Sequence, residues 1–231
     1  MKYIKLYEKF EDWNTVSDAD FTEFMELNQI GVVSSQELAE LKKLRDAEQR
    51  IIHYNGVGSL ILDYCTLLKS LPAGLKINGR LELNGCTSLE SIPADLEVLG
   101  ELDLRGCTGL RSLPDGLKIG GGLDIKRCTG LRSLPAGLVV GGQLDMEGCT
   151  GIKSLPADLK VESGVYLEGC TALESLPVGF KVDGNLDLDC CTSLKSLPAG
   201  LEVSASLYIR SCPSLAELPE DLKVGAKIYK Y

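Results

Sequence analysis

Thiols, hydroxyls and carboxylates are the groups in this chain whose spacing could do chemistry. A thiol can close a disulfide, hold a soft metal or attack as a nucleophile. Eight of the nine cysteines, Cys65, Cys86, Cys107, Cys128, Cys149, Cys170, Cys191 and Cys212, recur every 21 residues, and only Cys190 stands outside the series. Metal binding calls for paired Cys-x-x-Cys clusters or helper histidines; the column has no such pairs, and the single histidine, His53, precedes it. Stacked repeats would bring successive Cα atoms to about 5 Å, which allows a disulfide. A parallel column, however, points every sulfur the same way, so bridging would distort the backbone. The expectation is eight reduced thiols that turn inward and satisfy backbone groups of a turn, with Cys190 partly exposed. Reduced thiols fit a cytoplasmic setting better than a secreted one.

Hydroxyls form two more columns, Thr66 to Thr192 and Ser70 to Ser196, at the same 21-residue step. A nucleophilic serine would need a base and an oxyanion site, and no histidine lies within the array. Hydrogen bonds to the backbone where the chain turns are the better reading. Gly120-Gly121 and Gly141-Gly142 lack the Lys-Ser/Thr ending and following helix of a phosphate loop, and read as tight turns with unusual backbone angles. No catalytic residue, metal or cofactor is expected, and the chain is not read as an enzyme.

The elements that position these columns come from the repeat itself. The prolines Pro72, Pro93, Pro114, Pro135, Pro156, Pro177, Pro198 and Pro219 keep the same step. Within the unit Leu102-Asp103-Leu104-Arg105-Gly106-Cys107-Thr108-Gly109-Leu110-Arg111-Ser112-Leu113-Pro114, the Leu-x-Leu alternation predicts a short strand with one buried side. Leu110, Leu113, Leu117 and Ile119 are spaced irregularly, and the proline disfavours a helix in the return. The chain therefore coils, each turn laying a strand parallel to the last at about 4.8 Å. Leucine and isoleucine from every turn fill one continuous core, so a single turn could not stand alone.

The Leu-x-Leu-x-x-Cys-x-x-Leu core resembles the leucine-rich repeat over about residues 56–231. The Leu-Pro that follows is similar to the short bacterial LPX class of YopM-like and IpaH-like effectors; similar repeats occur in plant immune receptors and in phage proteins. The resemblance implies a right-handed leucine-rich-repeat solenoid with a parallel β-sheet on its concave face, mostly non-helical returns and an N-terminal α-helical cap. It also implies a protein partner bound on the concave face. IpaH-like ligases carry their catalytic cysteine in a helical domain after the repeats, and this sequence stops at Tyr231, so only a substrate-recognition fragment would be in hand.

Two outward columns on the strands vary while the core positions hardly change. The first runs Ile61, Glu82, Asp103, Asp124, Asp145, Tyr166, Asp187, Tyr208 and Tyr229; the second runs Asp63, Asn84, Arg105, Lys126, Glu147, Glu168, Asp189 and Arg210. Aspartate is a poor strand former, and like charges ~4.8 Å apart repel by roughly 0.9 kcal/mol even in water. A run of Asp is thus unexpected for stability alone. Two readings stay open: a solubilising face, or a recognition strip made of Asp103, Asp124, Asp145, Tyr166, Asp187 and Tyr208 with Glu168, Asp189 and Arg210 alongside. The tyrosines are either binding anchors or good strand formers.

Residues 1–55 carry no repeat. Ser17-Asp18-Ala19-Asp20 reads as a helix start with Gly31 as its stop; Ser34-Ser35-Gln36-Glu37 is a capping box ahead of Leu38, Leu41, Leu44 and Ile51 at helical spacing. This helical hairpin is expected to cover the first coil, or else to dock elsewhere. The array holds about eight repeats and a final partial strand, residues 226–231, through which two copies could pair. The net charge of −9 argues against nucleic acid and anionic lipid. No apolar run approaches a membrane span, and Met1–Lys9 lacks the apolar core of a secretory signal. The expectation is a protein-binding module, a phage or bacterial effector; the alternative is a structural or virion component that self-associates.

Overall fold

Leucine at the first and third positions of each unit commits one side of a short strand to the core, and the chain repeats this commitment throughout the array. The computed structural model describes residues 35–230. The chain divides after Ile52 into two compact units. The described part of the first contains α1 (Ser35–Ile52), in which Leu41 and Ala47 are buried. Glu37 in its first turn and Arg50 in its last complement the helix dipole. The helix expected after Ser17 lies outside the described residues.

In the second unit the strands, numbered along the chain, alternate between two ladders. The front ladder holds β1 (Leu60–Ile61), β3 (Leu81–Glu82), β5 (Leu102–Asp103), β7 (Leu123–Asp124), β9 (Leu144–Asp145), β11 (Val165–Tyr166), β13 (Leu186–Asp187), β15 (Leu207–Tyr208) and β17 (Ile228–Tyr229). All nine pair in parallel in chain order, each residue opposite the one 21 places on. The ladder bonds are short: the Leu60 N–H reaches Arg80 O at 2.8 Å and the Leu62 N–H reaches Glu82 O at 2.7 Å, and later coils repeat the pattern. The paired leucines, such as Leu81, Leu83, Leu102 and Leu104, are fully buried.

The returns carry a second ladder: β2 (Lys76–Ile77), β4 (Glu97–Val98), β6 (Lys118–Ile119), β8 (Val139–Val140) and β10 (Lys160–Val161) form one parallel sheet, and β12 (Lys181–Val182), β14 (Glu202–Val203) and β16 (Lys223–Val224) another. The described returns contain no helix. The proline column explains why: Pro93, Pro156 and Pro219 lack an N–H, and each offers its carbonyl to the leucine three residues on, closing a turn. The result is a parallel β-solenoid of about eight 21-residue turns, as the periodicity predicts.

The cysteine column ties the coils together. The Cys107 thiol donates to Leu83 O at 3.2 Å, a carbonyl that also accepts the Cys86 N–H at 3.1 Å. Cys86, Cys128, Cys149, Cys170, Cys191 and Cys212 repeat the thiol bond one coil back, at 3.0–3.2 Å. None of the nine cysteines is in a disulfide, and Cys190 is exposed. Burial pushes the Cys86, Cys107, Cys149 and Cys170 thiols up to about 12, far from forming the thiolate that reacts.

Two readings of the turns need correction. The Gly-Gly pairs do not supply unusual angles; the left-handed backbone falls elsewhere, at Gly85, Gly106, Gly148 and Gly169 and, in the same column, at Tyr64, Arg127, Cys190 and Ser211. Gly120 and Gly121 are needed for close approach: a Cβ on either would collide with the Leu99 or Gly100 backbone of the previous coil. The Ser column is not the cement of the turns either. Ser70 to Ser196 are exposed, and in the Thr column the Thr192 hydroxyl reaches Thr171 O only at 3.5 Å. Backbone bonds such as Thr108 N–H to Gly106 O close that turn instead.

Candidate functional site

The front sheet turns its first and third positions inward, so the residue between them and the one after stand on the outer side. Asp103, Asp124 and Asp145 are in direct register on β5, β7 and β9, and Tyr166, Asp187, Tyr208 and Tyr229 continue the row on β11 to β17. Glu168, Asp189 and Arg210 lie in the second column. Every residue expected in the recognition strip is therefore on one sheet face.

The aspartates are not freely solvated as expected. Asp103 and Asp145 are only 6 % and 7 % exposed, and Asp189 is 4 % exposed. Their neighbours cover them. Arg105 grips Asp103 through Nε at 3.0 Å and also through Nη2, and its Nε stands 3.6 Å from Asp124. Lys126 Nζ lies 2.8 Å from Asp145 and 3.8 Å from Glu147. Arg210 Nε donates to Asp189 at 2.7 Å.

The aspartates also have a backbone task. Where each strand ends, the N–H of the second-column residue points out of the ladder. Asp103 Oδ1 accepts the Arg105 N–H at 3.0 Å, Asp124 that of Lys126 at 3.0 Å, Asp145 that of Glu147 at 3.2 Å and Asp187 that of Asp189 at 2.9 Å. Asp63 and Asp189 do the same for Asn84 and Arg210 one coil on. Aspartate is a poor strand former but suits this local acceptor role. The Asp run thus has a structural reason, and the inference from its rarity falls. The sequence held the signal, an Asp two places before the strand exit in four coils.

Repulsion still leaves a mark. Asp124 sits between Asp103 and Asp145, and burial first, then those two charges, push its carboxyl from 3.8 to about 6, against the pull of the Lys126 N–H. Asp187 is raised too, by burial and then by Asp189 and Glu168.

The tyrosines form the other half of the face. Tyr208 and Tyr229 stack with centroids 4.6 Å apart and planes 7° off parallel, and the Arg210 guanidinium lies 5.9 Å from the Tyr208 centroid. Tyr229, outside the expected set, belongs to this cluster, and its 21-residue spacing from Tyr208 was the visible sign. The Tyr166 ring leans across Gly164, where a Cβ would crowd it. At the other end of the row Ile61 and Tyr64 are 46 % and 57 % exposed.

On the return side, Lys–Glu–Lys ladders dominate. Glu202 takes Lys181 at 3.1 Å and Lys223 at 2.8 Å; Glu174 takes Lys195 at 2.9 Å and Lys153 at 3.7 Å. A groove of about 540 Å³ runs over β12, β14 and β16, with Lys181 and Lys223 on its wall already held by Glu202. Among the described residues no group of three or more His, Cys, Asp or Glu is arranged to hold a metal ion, and no helix is long and apolar enough to cross a membrane. Comparison with family models, with curated proteins and with solved structures returns no match to this chain.

Proposed function

We propose that the chain is a non-enzymatic interaction module of the leucine-rich-repeat type, of the short LPX class, and that it binds a protein partner on the concave face formed by its front sheet. The observation that carries this reading is the Tyr208–Tyr229 stack with Arg210 beside it on the outer side of the sheet. The aspartates serve the backbone, whereas no buried contact calls for a half-exposed aromatic pair. Tyrosine and arginine are enriched among binding hot spots because they offer large, rigid contact area with polar tips.

Charge selects the partner. The two outward columns hold nine carboxylates against three cations, six of the chain's nine net negative charges. A partner with a basic surface is attracted and oriented by that field, and its association weakens with salt. Glu168, which has no ion pair across the sheet among those of the described residues, stands where a partner's cation would sit. A bacterial or phage effector acting in a reducing cytoplasm fits the free thiols.

The test is comparative capture from bacterial and host-cell lysates. Wild-type chain, a front-face variant (Tyr166→Ala with Tyr208→Ala) and a return-face variant (Lys153→Ala with Lys195→Ala) are immobilised side by side. A protein retained by wild type and the return variant but lost by the front variant is the expected result. Retention by all three, or loss only with the return variant, would remove the front sheet as the site.

A further inference from the structure

The front ladder runs unbroken through all nine strands, but the return ladder does not. It stops between β10 and β12 and resumes from β12 through β14 to β16. On either side the bonds are regular: Lys160 N–H to Leu138 O at 3.0 Å, Glu162 N–H to Val140 O at 3.0 Å, Glu202 N–H to Phe180 O at 3.0 Å and Ser204 N–H to Val182 O at 2.9 Å. The equivalent bonds from Lys181 to Leu159 O and from Asp183 to Val161 O are both missing among the described residues; between β4 and β6 only the first, Lys118 to Leu96 O, is missing, and the Gly120 N–H still reaches Val98 O at 2.9 Å. Val161 is correspondingly half-exposed, as is Val224 in the last return strand, while Val98, Val140, Val182 and Val203 are exposed by 2 % or less.

In the return core of this coil one residue stands apart; Val178, which also differs from its equivalents, is exposed. Phe180 occupies the core column that is leucine at positions 75, 96, 117, 138, 159, 201 and 222. It is buried, at 6 %. A phenyl ring in a slot shaped for leucine must take its extra volume from somewhere, because close-packed cores do not absorb it. The front ladder keeps its bonds, so the return side yields.

We infer that the solenoid has a built-in hinge: Phe180 wedges the return side open between the β10 and β12 coils, and the two blocks flex there about the continuous front sheet. The opening lies behind the step from Asp145 to Tyr166, where the outward column passes from acidic to aromatic. Flexing therefore moves the acidic half of the front face relative to the aromatic half.

Amide hydrogen exchange on the full chain tests it. The Lys181 and Asp183 amides are expected to exchange at least tenfold faster than those of Lys160, Glu162, Glu202 and Ser204, since unpaired amides lack the protection of a ladder. Phe180→Leu restores the residue of the other coils and is expected to slow both amides at least tenfold; Phe180→Met, a smaller change in shape, serves if the leucine variant folds poorly. Equal protection of the six amides in the wild type would overturn the hinge. Fast exchange at Lys181 and Asp183 that neither variant slows would overturn Phe180 as its cause.

Discussion

Asp124 shows how one side chain can be both needed and costly. Its Oδ1 holds the Lys126 N–H, yet it sits in register between Asp103 and Asp145. Because its folded value lies near 6, above the ordinary 3.8, the folded chain holds this proton more tightly than the unfolded one. The stability it contributes is present below about pH 4 and is lost as pH rises to about 6. Asp124→Asn keeps an acceptor and removes the charge. It is expected to stabilise the fold at pH 7 by about 1–2 kcal/mol, after allowance for solvent screening, and to flatten the pH dependence between 4 and 6. Asp124→Ala also removes the acceptor, so it should be less stable than Asp124→Asn by about 1 kcal/mol. Urea titrations of the three proteins at pH 4 and pH 7 check this; an alanine variant as stable as the asparagine one would mean that the Lys126 bond contributes nothing. At the same scale, Leu123→Ala should cost about 2–5 kcal/mol, because Leu123 is fully buried one residue away. A thiol reagent should label Cys190 first and the buried column only on unfolding. Labelling of Cys128 at a comparable rate in the native state would contradict the thiol ladder.

Among the elements, the turn leaving each front strand is the most demanding. Its left-handed residue is glycine in four coils but Tyr64, Arg127, Cys190 or Ser211 in the others, with φ between 56° and 59°. A side chain there costs roughly 1–2 kcal/mol, partly offset by the greater freedom that glycine loses on folding. Cys190→Gly is therefore expected to stabilise by up to about 1 kcal/mol, read from the urea midpoint; a clear loss of stability would show that the Cys190 side chain makes a contact that matters. The existence of front strands and non-helical returns was legible in the 21-residue step, in Leu-x-Leu and in Leu-Pro. What stayed hidden were relations between coils. Gly120 and Gly121 look like turn formers in one unit, and only stacking reveals that they are spaces for the Leu99 and Gly100 backbone. The Asp column was visible as residues but not as acceptors, because the N–H groups it serves are defined by where the ladder ends. The break at Phe180 was likewise a matter of volume in a shared core, which no single unit displays.

For the whole molecule, the repeat unit contributes strands of two residues and turns, and the described helix is confined to Ser35–Ile52. Far-ultraviolet circular dichroism should show helix well under half; a helix-dominated spectrum would contradict the solenoid. The functional reading turns on whether the front-face tyrosines exist for a partner or for the fold. The most direct measurement puts both quantities on one variant, Tyr208→Ala, by urea unfolding and by titration with the captured partner at low and physiological salt. Stacking on Tyr229 is worth about 0.5–1.5 kcal/mol to the fold. The account predicts a folding loss within that range, a binding loss of about 2 kcal/mol or more, and a salt dependence that survives because the carboxylates remain. A folding loss well above that range with binding unchanged per folded molecule would contradict it, and would make the tyrosines part of the sheet's own packing.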